Sequence, residues 1–350
     1  MQVITIGIDL AKHVFQVHGV DANDKVVFNK PLRRSQVLPF FAKLAPCLIG
    51  MEACASAHYW ARELKKLGHD VRLMPAKDVK AYVKRNKNDS VDAAACSEAV
   101  RRPTVRTVPV KTPEQQAELM QHRVRDLLVR QRTQAINALR SHLAELGIVA
   151  AQGYDGLKVL LVVIADCSDV RLPENARASL SALIAQIASC QAEIGAIEKR
   201  LLAQHRKNAD SKRLETIPGI GVLGASAIVA TVPDASIFKT GRDFAAWIGI
   251  VSREDSTGGK QRLGPISKQG DRYLRRILIV GAFAVIKQAR AHPEKYPWLT
   301  QLLARKPAKV AAVALANKTA RIAWAVLTKK EIYRVTSHHR DTCVVGRLKK

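Results

Sequence analysis

Aromatic side chains are scarce in this chain, 5% of 350 residues. That argues against base stacking as the main way of holding a single nucleic-acid strand. Trp60, Trp247, Trp298 and Trp324 are expected in cores or interfaces. Cysteine is equally sparse. Cys47, Cys54, Cys96, Cys167, Cys190 and Cys343 stand apart with no CxxC pair, so neither a zinc site nor a disulfide framework is expected, and a reduced, cytoplasmic compartment is. No run of 18 uninterrupted apolar residues occurs, and a membrane-spanning helix is not expected. Asp9 and Lys12 interrupt the apolar start without a small-residue cleavage pattern after them, unlike a secretory signal. Acidic residues are few: 30 Asp and Glu stand against 57 Lys and Arg, a formal charge of +27. The hydrophobic share of 47% excludes a wholly disordered chain. So large a basic excess repels itself when compact, and a polyanion, nucleic acid first, is the natural partner.

The first hundred residues read as α/β. Val3–Ile8 is a β-rich run ending on Asp9, and His13–Val20 alternates as a half-buried strand does. Lys25–Asn29, Cys47–Met51 and Val71–Met74 are further strands; Ser35–Leu44, His58–Leu67 and Ser90–Arg101 are helices. This order, β-β-β-α-β-α-β-α, predicts a meander followed by alternating units on one mixed sheet. Glu114–Leu146 is a long basic helix, with Thr112 and Pro113 suited to its start. Gly156–Pro173 is an undefined connection. Leu180, Leu183, Ile187, Ile194, Ile197 and Leu201 form a coiled-coil seam of about three heptads, open to an intramolecular hairpin or a dimer contact. From Arg213 onward helical patterns dominate, around a Gly-rich basic loop at 251–270 and before a basic, mobile tail at 336–350.

Four carboxylates stand out. Asp9 and Glu52 each end a predicted strand, and Asp89 and Asp92 sit three apart at a helix start, where they share a face. Two strand ends can meet that helical pair at one sheet edge. Hard oxygen donors of this kind hold Mg²⁺, and a pair of such ions can clamp the attacking and leaving oxygens of a phosphoryl transfer. Taken singly, each acid has an ordinary role as strand end or helix-start residue.

Two more segments suit nucleic acid. Ile217-Pro218-Gly219-Ile220-Gly221 resembles the hairpin of helix-hairpin-helix modules, whose backbone N–H groups hold phosphates; a plain interhelical turn is the other reading. In the run Ser252 to Gly264 a hydroxyl lies beside Gly258 and Gly259. Arg253, Lys260, Arg262 and Lys268, with Arg272 beyond, can surround a phosphate. A serine there could form a covalent phosphoryl intermediate, and an ordinary DNA-contacting loop is the other reading.

Gly7-Ile8-Asp9-Leu10-Ala11-Lys12, the step Met51-Glu52-Ala53-Cys54, and the run Arg85 to Ala93 together resemble transposases of bacterial insertion-sequence family 110. The resemblance covers residues 3–328. It implies an N-terminal RuvC-like domain of the RNase H type, with a DEDD metal quartet on Asp9, Glu52, Asp89 and Asp92 and Mg²⁺, two ions, as cofactor. It also implies a nucleophilic serine in the Gly-rich loop, whose Ser-Thr-Gly-Gly-Lys-Gln-Arg-Leu-Gly resembles the subgroup 1111 form. Ser256 matches best; Thr257 takes its place if a gap moves by one residue.

The resulting expectation is an RNA-guided DNA recombinase with a RuvC-like domain at 1–110 and a long helix and coiled coil at 111–206. A mainly helical transposase domain carrying Ser256 follows at 207–335. The resemblance further implies that both domains build one composite site, that target and donor DNA and a structured non-coding guide RNA are partners, and that the protein dimerises and tetramerises on DNA in the bacterial cytoplasm. The rivals are a metal-dependent junction endonuclease using water and a non-catalytic nucleic-acid scaffold.

Overall fold

The computed structural model describes residues 2–84, 88–232, 234–334 and 345–346. Arg85, Asn86, Lys87 and most of the 336–350 tail therefore lie outside the described residues. The chain divides into two compact units, Met1–Pro113 and Glu114–Lys350.

The first unit is a five-stranded mixed sheet with helices. Its strands are β1 (Thr5–Asp9), β2 (Val14–Val20), β3 (Val26–Arg33), β4 (Leu48–Glu52) and β5 (Asp70–Met74), in the order β3-β2-β1-β4-β5. β1 is antiparallel to β2 and parallel to β4, and β4 is parallel to β5. The expected meander and alternating units are present. β3 runs further than expected, through Pro31, because it is an edge strand and an edge tolerates the missing N–H. The helices are α1 (Val37–Phe41), α2 (Ala57–Lys66), α3 (Ala76–Lys80) and α4 (Asp89–Val100); the short α3 was not expected.

β1 alternates in its role. Ile6 and Ile8 join Phe15, Trp60 and Leu64 in one core, whereas Gly7 faces α4. A Cβ at residue 7 would lie 2.0 Å from the Ala93 carbonyl oxygen, and one at Gly50 would lie 2.6 Å from the Cys96 carbonyl oxygen. Glycine at both places lets the α4 backbone rest directly on β1 and β4.

The second unit is mainly helical. It contains α5 (Pro113–Glu145), α6 (Tyr154–Ala165), α7 (Glu174–Lys207), α8 (Ala209–Glu215), α9 (Val222–Thr231), α10 (Gly241–Ile248), α11 (Arg272–Ala291), α12 (Pro297–Arg305) and α13 (Ala308–Lys329). α5 and α7 run antiparallel: Arg125 pairs with Glu198, and Arg132 with Gln191. The seam of α7 is thus used within the chain, where Leu180 packs with Leu139 and Leu143 of α5.

The segment expected to be an undefined connection holds α6. Its Leu157, Leu160 and Ile164 are buried in that same core. Its near-continuous apolar run hides the period that would have marked a helix. Leu127 of α5 is exposed. In α13, Ala312, Ala316, Ala320 and Ala323 are fully buried, and small side chains allow close packing on α10 and α11. Among the described residues, helices α7 and α13 are long and apolar enough to cross a membrane by composition alone; half of the apolar window of α13 is buried, and 22% of that of α7.

The Gly-rich segment is a β-hairpin rather than a loop, with β6 (Ser252–Glu254) antiparallel to β7 (Leu263–Ile266). A final pair is formed by β8 (Ile332–Tyr333) and β9 (Val345–Gly346).

Candidate active site

Side chains two apart on a strand share a face. Asp9 follows Gly7 by two and Glu52 follows Gly50 by two, so both carboxylates leave the ends of neighbouring parallel strands on the α4 side. Helix α4 begins at that end. Gln16, opposite Asp9 across the β1–β2 ladder, donates to Asn29 Oδ1 at 2.6 Å, and Asn29 donates to Ser90 Oγ at 2.5 Å. Asn88 caps the helix by accepting from the Val91 N–H at 2.9 Å. Asp89 and Asp92 occupy the first turn, where the positive helix end favours them. Asp89 is exposed, while Asp9, Glu52 and Asp92 are half-buried.

Two thiols report the field there. Cys96, one turn after Asp92, is buried against the Glu52 backbone. Burial first, then the charges of Asp9, Glu52 and Asp92, push its thiol up to about 12. Cys54 is raised as well, by burial first and then by Glu52 and Asp9. Asp9, Glu52 and Asp92 therefore act on one point, and neither thiol is a reactive thiolate at neutral pH.

In donor chemistry the group suits a hard divalent cation, since every candidate ligand is a carboxylate. Among the described residues no three His, Cys, Asp or Glu side chains close into a preformed metal cage.

The hairpin presents Ser256. Its hydroxyl donates to Glu254 Oε1 at 2.9 Å and accepts from the Arg262 backbone N–H at 3.1 Å. Gln261 also reaches Glu254, at 3.4 Å. Glu254 was not singled out from the sequence, although its spacing of two from Ser256 on an extended segment was a legible signal. Gly258 and Gly259 have φ of 56° and 76°, with open space where a Cβ would stand, so a backbone can approach the tip closely.

Arg253, Lys260, Arg262, Lys268 and Arg272 are all exposed. Arg253 donates to the Ser267 carbonyl at 3.3 Å, which braces the two strands. The hairpin base is held tightly: Arg275 donates to the carbonyls of Ile248 and Gln269, both at 2.8 Å.

In the Pro-Gly turn the two glycines differ. Gly219 has φ 89°, and a Cβ there would meet Gly281 of α11 at 3.1 Å; it serves close backbone packing. Gly221 faces open space at the start of α9. A further serine, Ser211, donates to or accepts from His205 Nδ1 at 2.8 Å, and His205 Nε2 meets Glu215 at 2.9 Å. The residue types are those of a hydrolytic triad, but the two ring nitrogens are exchanged, since the serine of a triad bonds Nε2 and the carboxylate Nδ1. Ser211 is 1% exposed, so the arrangement clamps α7 to α8.

Two family models match the chain. A DEDD transposase model of the IS110 kind matches residues 6–148, and the Transposase IS116/IS110/IS902 family model matches residues 211–297. DEDD transposase domains are typically metal-dependent. A probable family 20 transposase of Pseudomonas aeruginosa is 49% identical over 336 residues, 95% of this chain and 99% of its own. The transposase for insertion sequence element IS1328 of Yersinia enterocolitica is 38% identical, over 95% of this chain and 98% of its own. The transposase for IS1111A of Coxiella burnetii is 38% identical, over 94% and 91% respectively. With its α/β RuvC-like N-terminal region, helical C-terminal part and these full-length similarities, the chain belongs to the IS110 family of insertion-sequence transposases, enzymes that cut and join DNA strands.

Proposed function

We propose that this transposase is an RNA-guided, site-specific recombinase that cuts and rejoins DNA through a phosphoserine at Ser256. One observation carries the assignment of the nucleophile: the Ser256 hydroxyl has a carboxylate acceptor, Glu254, at 2.9 Å and a backbone N–H donor at 3.1 Å. A serine hydroxyl is a weak nucleophile without an adjacent base. Glu254 is placed to take the Oγ proton as Oγ bonds to a DNA phosphorus. The bond from phosphorus to the leaving sugar oxygen breaks, and that oxygen departs as a hydroxyl after gaining a proton. Rejoining reverses these steps with a different sugar hydroxyl, so the phosphodiester energy is kept. Arg253, Lys260 and Arg262 balance the charge gathering on the phosphoryl oxygens.

Asp9, Glu52, Asp89 and Asp92 would hold Mg²⁺, two ions in this reading; bound, they supply charge stabilisation to a phosphoryl transfer. The chain's own part is to align these carboxylates through the seating of α4. The domain reading keeps residues 1–110 as the RuvC-like part, 111–206 as the long-helix and coiled-coil part, and 207–335 as the serine-bearing transposase domain.

The charge of +27 supports binding through backbone and shape, which leaves sequence choice to base pairing by a structured guide RNA. The guide RNA, the dimer or tetramer on DNA and a cytoplasmic location belong to this reading. The test is a denaturing gel of protein with nicked DNA. Ser256→Ala should abolish the covalent band without changing the thermal melt, and Thr257→Ala should retain it. An adduct from Ser256→Ala that is lost in Thr257→Ala moves the nucleophile to Thr257. An adduct from both places it outside the hairpin.

A further inference from the structure

The second unit holds an open cavity of about 610 Å³ between the start of α10 and the face of α13, walled on a third side by α12. Its volume lies within the range of small-ligand pockets, roughly 300–1,000 Å³. Three cations, Arg242, Lys318 and Arg321, line it together with two indoles, Trp298 and Trp324, and no carboxylate is among the lining residues. Low aromatic content made stacking an unpromising mode for the whole chain. Two of the four tryptophans nevertheless meet here.

The walls are built to stay in place. Trp324 Nε1–H donates to the carbonyls of Ala235 at 3.2 Å and Phe238 at 3.1 Å, which locks the indole. The Lys318 ammonium stands 4.4 Å from the centre of the Trp298 ring, so a cation and an aromatic surface are presented together. Asn317 donates through Nδ2 to the Ile250 carbonyl at 3.2 Å. This leaves its Oδ1 as an acceptor and ties the wall to a residue two before the Ser256 hairpin. Gly241 seats the start of α10 on α13, since a Cβ there would lie 3.1 Å from the Arg321 backbone.

Three cations on one cavity repel one another, and an anion relieves that. A bare phosphate would leave the indole walls unused, whereas a paired base cannot leave its stack to enter. We propose that this pocket binds one unpaired nucleotide, with the base against the Trp298 wall and its phosphate among Arg242, Lys318 and Arg321. The proposal rests on the chain acting on nucleic acid; the Ser256 mechanism is not needed for it.

The experiment uses the full-length protein and fluorescence anisotropy. The probes are a blunt DNA duplex, the same duplex with one bulged nucleotide, and single-stranded 12-mers of DNA and RNA. Trp298→Leu should weaken the probes with unpaired bases by about 5- to 160-fold, the range of one stacked base, and leave the blunt duplex within about 2-fold. Lys318→Ala combined with Arg321→Ala should lower the salt slope on single strands by about 0.7, for one phosphate contact. Arg242→Ala, at an exposed site, serves if Trp298→Leu melts early. Lys43→Ala, exposed in the other unit, gives the effect of losing one distant charge.

A loss confined to RNA assigns the nucleotide to a guide, and a loss confined to DNA assigns it to a melted strand. Equal losses on blunt duplex and unpaired probes, or losses no larger than that of Lys43→Ala, overturn the proposal. Only binding is read, so failure here leaves the adduct experiment on Ser256 untouched.

Discussion

His122 shows how much one side chain carries. It is 1% exposed, with Nδ1 3.1 Å from the Tyr273 hydroxyl and Nε2 3.2 Å from Ser226 Oγ. Ser226 donates its hydrogen to the Val222 carbonyl at 2.8 Å. Nε2–H must therefore be the donor to Ser226, and Nδ1 accepts from Tyr273. The ring is complete when neutral. Burial first, and the Arg125 charge second, lower its pKa from 6.5 to about 4. Between those values the unfolded chain binds a proton that the folded chain refuses, so stability falls as pH drops from 6.5 toward 4. The full loss is on the order of 3 kcal/mol. Glu118, raised by burial, works in the opposite sense. Thermal melts at pH 7 and pH 5 should show the acid loss in the wild type and a smaller one in His122→Gln. An unchanged pH dependence in the variant would remove His122 as its source.

At the scale of elements, the seating of α4 decides whether the carboxylates meet. Gly7 and Gly50 give the helix direct contact with the sheet, and Asp9 and Glu52 each lie two residues further along. Gly7→Ala would force a Cβ to within 2.0 Å of the Ala93 carbonyl oxygen, which no rotamer can relieve. We expect a loss of about 3 kcal/mol, the upper part of the overpacking range, and strand transfer reduced more than DNA binding. Asp92→Asn, which keeps its shape, should melt like the wild type yet lose strand transfer. A Gly7→Ala protein with wild-type melting and recombination would show that α4 does not rest on β1. Full recombination by Asp92→Asn in Mg²⁺ would remove Asp92 from the quartet.

For the whole molecule the governing quantity is charge. With 57 basic and 30 acidic residues, affinity should come from many phosphate contacts and the counterions they release. For about 6–10 such contacts, DNA affinity falls roughly 10³- to 10⁵-fold between about 50 and 200 mM salt. A flat plot of log affinity against log salt over that range would contradict a backbone-dominated mode. Stripping co-purified RNA should lower target discrimination more than total DNA binding. Sequence choice that survives its removal would point to direct readout by the protein.

The mixed sheet, the strand ends carrying Asp9 and Glu52 and the long helices were legible in the sequence, because alternation, three- and four-residue periods and capping residues are local signals. The charge and its partner class were legible for the same reason: composition does not depend on the fold. Helix α6 was not, since a continuous apolar run has no period of its own. Only the tertiary structure decided that the α7 seam packs on α5 and that Gly219 packs against Gly281. It alone brought Trp298, Trp324, Lys318 and Arg321 to one cavity with Arg242. These depend on which elements become neighbours in space, and that choice is made by burying apolar faces against one another, with no trace at any single position.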